Sequence, residues 1–140
     1  MKKQQIYSVL LVLIIVLMFP LFNQHLSNSN TPFKNLQAKD IVSIDLLLQP
    51  PNKSTVIIDE KNIQVIVETL NKLVLKNEES PKVDTSGQLV SYTLNKNNKD
   101  KVEIIISSPY AIIDGKIYKV NYEICDVLNL LGNELLENYK

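Results

Sequence analysis

Ile6 to Phe22 is a run of 17 residues without a charge, standing behind the lysine pair Lys2 and Lys3. As a helix rising about 1.5 Å per residue it would reach roughly 25 Å, a short but usable crossing of a bilayer core. A secretory signal shares the basic start, but its apolar part is usually shorter and ends at small residues flanking a cut. Here Phe19, Pro20, Leu21, Phe22, Asn23 and Gln24 close the run, and Ser27-Asn28-Ser29 is the one passable cut site. The expectation is an uncleaved anchor, with cleavage near Ser29 as the alternative. Lysines precede the block and no charge follows it until Lys34, so the amino terminus is expected inside the cytoplasm. Pro20 then marks the helix end near the membrane exit. A single-pass plasma-membrane protein follows, with residues 1–5 as a cytoplasmic stub and the rest of the chain outside.

Composition excludes several function classes for that outer part. All 15 basic residues are lysine, and setting aside Lys2 and Lys3 leaves 13 against 15 acids. A nucleic-acid binder shows a basic stripe and a positive excess, and this chain has neither, so no nucleic-acid partner is expected. Cys125 is the only cysteine, so no internal disulfide holds the domain. Roughly 105 residues from Phe33 onward suffice for one domain that buries about 60 to 65% of its unfolded surface. Residues 23–32, NQHLSNSNTP, are polar and short of apolar groups, and read as a flexible tether. His25, the only histidine, falls in this tether, where it lacks the partners that a metal or catalytic role demands.

Residues 33–140 carry clear punctuation. IVSIDLLL, ending at Leu48, reads as a strand stopped by Pro50-Pro51, and Ser54 to Asp59 as a second strand. Asp59 is a helix N-cap by type, and Ile63, Ile66, Val67, Leu70 and Val74 fall on one helical stripe. That helix is expected to end near Leu73, and Asn77 to Gly87 to form a polar loop. Gln88 to Asn95 alternates with the period of a half-buried strand, and Lys101 to Ser107 returns after the turn NKNNKD. Asp114-Gly115 between YAII and KIYKV predicts a tight type I′ hairpin pairing Ile112 with Ile117 and Ile113 with Lys116. The shared face of Ile112 and Ile117 is expected to be the core. Asn121 is expected to cap a last helix whose stripe is Ile124, Leu128, Leu131 and Leu135, widened by Cys125 and Leu136 and weakened at Gly132. The fold expected is α+β, a mostly antiparallel sheet with two helices on one face, preceded by the transmembrane helix.

The segments TPFKNLQAKDIVSIDLLLQPPNKST, GQLVSYTL and IIDGKIYKVNYEICDVLNLLGNELL resemble a small, uncharacterised extracytoplasmic domain of Gram-positive bacteria, chiefly Firmicutes. The likeness spans Thr31 to about Leu136. That domain occurs on membrane-anchored proteins and lipoproteins, and behind membrane metallopeptidases of the antirepressor type, a setting that implies sensing or regulation. Its pattern Tyr-Glu-Pro-Cys-Glu reads here Tyr122-Glu123-Ile124-Cys125-Asp126, so the last helix is expected to start a little differently. The family has no established activity, so the resemblance implies a boundary and a location rather than a reaction.

Residue chemistry points away from an enzyme, and no catalytic, cofactor or metal residue is expected. Nucleophilic use of Cys125 needs a base and an exposed thiolate, whereas the outer domain has no histidine and the helical setting favours a buried thiol. The acid pairs Asp40 with Asp45 and Asp59 with Glu60 lack the alternating oxygens of a calcium loop, and Glu78 with Glu79 reads as solvated loop charge. Gly87, Gly115 and Gly132 supply no phosphate loop, dinucleotide fingerprint or nucleophile elbow. Tyr110, Tyr118 and Tyr122 either pack across the sheet or form an exposed aromatic patch. The function expected is a non-catalytic binding or sensing module tethered through Ile6 to Phe22, contacting an envelope or membrane protein by its sheet face or the Pro50-to-Thr55 loop. The alternatives are an accessory subunit assembling through its membrane helix, or a secreted inhibitor or immunity-type protein if the signal is cut.

Overall fold

A computed structural model describes residues 30–76, 82 and 86–139. The expected span at Ile6 to Phe22, His25 and the cut site at Ser29 lie outside the described residues, as does most of the loop from Asn77 to Gly87, including Glu78 and Glu79. Among the described residues no helix is long and apolar enough to cross a membrane. Thr31 and Pro32, assigned above to the tether, belong to the compact unit that begins at Thr31.

Branched apolar residues separated by turn formers give seven strands: β1 (Ile41–Gln49), β2 (Lys53–Ile57), β3 (Leu75–Lys76), β4 (Leu89–Lys96), β5 (Lys101–Ser107), β6 (Tyr110–Ile113) and β7 (Lys116–Val120). Two helices, α1 (Glu60–Leu70) and α2 (Tyr122–Asn138), complete the unit. The strands form one sheet in the order β2-β1-β4-β5-β6-β7-β3, and every pairing is antiparallel. This is the expected α+β class. Along β1, Ile44, Leu46 and Leu48 point inward, and a bulge between Ile41 and Ser43 lets Ile41 point inward too. Tyr92 and Leu94 of β4 and Ile104 and Ile106 of β5 extend that inner face, which both helices cover.

Asp59 caps α1 as its type predicts, with its Oδ2 accepting the Asn62 amide at 3.0 Å. Ile63, Ile66, Val67 and Leu70 are buried, so the stripe read from spacing is the packed one. It stops there. Val74 lies beyond the helix and is only half-buried, because the chain turns after Leu70 and buries Leu73 and Leu75 instead.

At the β6–β7 turn, Asp114 and Gly115 have φ of 47° and 80°, the left-handed pair that a type I′ hairpin requires. Ile112 opposite Ile117 and Ile113 opposite Lys116 is the expected register. The expected core face is wrong: Ile117 is 37% exposed and Ile112 half-buried, while Ala111 is fully buried. The neighbouring strand decides it. Inward-facing Ile104 and Ile106 stand opposite Ile113 and Ala111, which turns Ile112 and Ile117 to the other side.

Asn121 precedes α2 as expected but does not cap it with its side chain. Its Oδ1 accepts the Val74 amide and its Nδ2 donates to the Lys72 carbonyl, tying the helix start to the chain before β3. The buried stripe of α2 is Cys125, Leu128, Gly132 and Leu135, rotated from the one expected, with Ile124, Leu131 and Leu136 half-buried beside it. The cause is Gly132. A Cβ there would meet Val90 Cγ1 at 2.7 Å, the Tyr92 hydroxyl at 3.1 Å and Leu46 Cδ1 at 3.5 Å, so the absent side chain lets the helix lie directly on β1 and β4. The Tyr92 hydroxyl donates to the Leu128 carbonyl at this seat. Burial holds the Tyr92 phenol well above its ordinary pKa, against a weaker opposing contribution from the Gly132 backbone.

Candidate functional site

One end of the sheet gathers the chain leading into β1, the β4–β5 turn and the β6–β7 turn. Between them lies a groove of about 600 Å³. Phe33, Leu36, Leu94, Val102 and Ile113 give it an apolar floor, and Asn35, Asp40, Lys96, Asn97, Asn98 and Asp114 give it a polar rim. An apolar base with a few fixed polar groups is the usual make-up of a small-ligand or peptide site.

Local hydrogen bonds set its walls. The Asn97 amide donates to the Asp40 carbonyl at 3.0 Å and Asn97 Nδ2 to the Lys39 carbonyl at 2.8 Å, clamping the β4–β5 turn onto the segment before β1. Within that turn Asn98 Nδ2 donates to Asp100 Oδ2 at 2.7 Å, and the Asp100 amide returns to Asn98 Oδ1 at 3.1 Å. Lys99 sits at φ 70° in the same turn, a left-handed position taken by a residue with a side chain. Asp114 Oδ1 accepts from the Glu103 amide at 3.4 Å, holding the opposite wall. The side chains of Asn35, Asp40 and Lys96, which are among the lining residues, make no hydrogen bond or ion pair among the described residues.

The residues weighed from sequence are dispersed. Asp40 is on the groove rim, whereas Asp45 accepts Asn95 Nδ2 at 3.1 Å on the sheet face away from the helices, beside Ser43. Asp59 is committed to its cap, and Glu60 follows it in the first turn of α1. Among the described residues no three of His, Cys, Asp and Glu gather as a metal site. Cys125 is fully buried, its thiol directed at the Tyr110 carbonyl. Burial pushes that thiol up to about 11, with a hydrogen bond to Ser108 acting weakly the other way, which is the reverse of what a reactive thiolate needs. The three tyrosines part company: Tyr118 packs against the core, Tyr110 adjoins buried Ala111 on the opposite face, and Tyr122 is 64% exposed at the start of α2. Only Pro50 to Asn52 of the Pro50-to-Thr55 segment is turn, since Lys53 to Thr55 is already strand.

Sequence reasoning missed the groove. Its walls come from four segments spread over most of the domain, and the one local signal, the asparagine-rich NKNNKD turn, reads equally as ordinary punctuation. No protein-family model, no curated protein and no solved structure matches this chain.

Proposed function

We propose that the chain is a non-catalytic binding or sensing module, held by its amino-terminal span at the outer face of the plasma membrane and receiving its ligand in the groove at the β4–β5 turn. The observation that carries this reading is the rim of uncommitted polar groups over an apolar floor, set on strand ends and braced by Asn97. Such a lining offers shape, donors and acceptors, which is the chemistry of recognition. The envelope partner expected from the sequence, and the sensing role implied by the family resemblance, fit a site of this kind.

The test is photo-crosslinking in intact membranes with the full chain. A photoreactive residue in place of Asn98 captures a discrete partner, whereas one in place of Glu123 on α2 does not. Val102→Trp, which fills the groove, removes the Asn98 product. If Asn98 and Glu123 yield the same products, or the filled groove changes nothing, the groove is not the binding site. Exchanging Ile6 to Phe22 for an unrelated apolar span leaves the Asn98 product intact; its loss would instead favour an accessory subunit that assembles through the membrane.

A further inference from the structure

β2 is the terminal strand at one margin of the sheet, and among the described residues no strand pairs with its outer edge. Val56 is 52% exposed and Ile58, just past the strand, 73% exposed, with no charged residue between Lys53 and Asp59. The opposite margin is built differently. There β3 is two residues long, and Lys76, Lys116 and Lys119 stud it and its neighbour β7. Short strands and lysines are the ordinary means of keeping a sheet edge from pairing with another chain. One edge is thus protected and the other left open.

We infer that the open edge pairs with the same edge of a second copy of this chain, β2 against β2 in antiparallel order about Val56, to make one continuous sheet. Directly opposed residues of an antiparallel pair must share a face, so the candidate registers differ by steps of two. Centred on Val56, the pairing sets Val56 against itself, Ser54 against Ile58 of the partner subunit, and Lys53 against Asp59 of the partner subunit. A step one way opposes Thr55 to Asp59 and leaves Lys53 unmatched; a step the other way opposes Lys53 to Ile57. Only the central register brings both lysines to both aspartates. Asp59 is suited to this: its Oδ2 is occupied by the Asn62 amide while its Oδ1 has no such bond, and the residue is exposed. The exposed Val56 and Ile58 side chains then flank the twofold axis and lose water together. This pairing is independent of the groove at the β4–β5 turn.

Disulfide crosslinking of the full chain in its membrane, through one introduced cysteine at a time, tests it. Val56→Cys is expected to give a disulfide-linked dimer under mild copper oxidation, while Ile117→Cys on β7, also exposed, stays monomeric. Cys125 is left in place, being fully buried. Adding Lys53→Glu to Val56→Cys sets like charges together and is expected to cut the dimer yield to that of Ile117→Cys. Adding Asp59→Asn as well, which keeps the capping oxygen, restores part of the yield. Equal yields from Val56→Cys and Ile117→Cys overturn the proposal, and so does a Val56→Cys yield untouched by Lys53→Glu.

Discussion

Gly132 shows how one missing methyl can place a helix. In an exposed helix, Gly→Ala gains about 1 kcal/mol from backbone entropy alone. Here the new carbon would arrive 2.7 Å from Val90 Cγ1, so the substitution is expected to cost about 1 to 3 kcal/mol, with denaturant titration as the check. Pairing it with Val90→Ala removes the atom it strikes and should recover part of the loss. Cys125 gives a prediction in pH. Its thiol titrates near 11 in the folded chain against an ordinary 9.0, so the unfolded chain sheds that proton first. The stability it contributes is whole below pH 9.0 and drains away as pH rises toward 11, at up to roughly 1.4 kcal/mol per unit. Tyr92, raised above 10.0 by burial, adds to the decline in the same direction. Alkaline unfolding curves of the natural chain and Cys125→Ala should therefore converge as pH rises; parallel curves would mean that the thiol titrates alike in both states.

Helix α1 was legible because Ile63, Ile66, Val67 and Leu70 form one continuous apolar stripe at helical spacing, with Val65, 41% exposed, the one apolar residue of the helix outside it. The β6–β7 hairpin was legible in register and not in facing. Asp114-Gly115 dictates which residues oppose one another, but Tyr110 and Ile112 are as apolar as Ala111 and Ile113, so alternation does not say which pair is inside. That choice rests on β5, a contact between strands that no single strand encodes. The stripe of α2 was misjudged for a related reason: a glycine counts as a gap in a hydrophobic pattern, yet it occupies the point of closest approach. These facings predict contrasting costs. Ile104→Ala, on the inner face, should cost about 2 to 5 kcal/mol, while Ile117→Thr should stay within about 0.5 kcal/mol, as thermal melts of the two variants would show.

At the scale of the whole molecule, the α+β class and the two helices of the unit that begins at Thr31 could be read from the chain, whereas the groove could not, since it exists only once Phe33, Leu94, Val102 and Ile113 are brought together. The unit that begins at Thr31 has its own core, drawn from both helices and most of the strands, so a fragment of residues 31–140 should unfold in one cooperative step. A broad transition, or separate transitions by fluorescence and circular dichroism, would contradict that. The strand order also carries a consequence for birth on the ribosome. Ile44 has Ile57 on one side and Leu94 on the other, so its first neighbour is translated long before its second. In the interval β1 and β2 form a two-stranded hairpin with only α1 to cover its inner side, and two strands by themselves are of marginal stability in water. Even with every strand in place, Val90 and Tyr92 lack a roof until the glycine of the final helix arrives. The last twenty or so residues therefore act as a latch, and a stop codon anywhere before Tyr122 would leave a door with nothing to shut it.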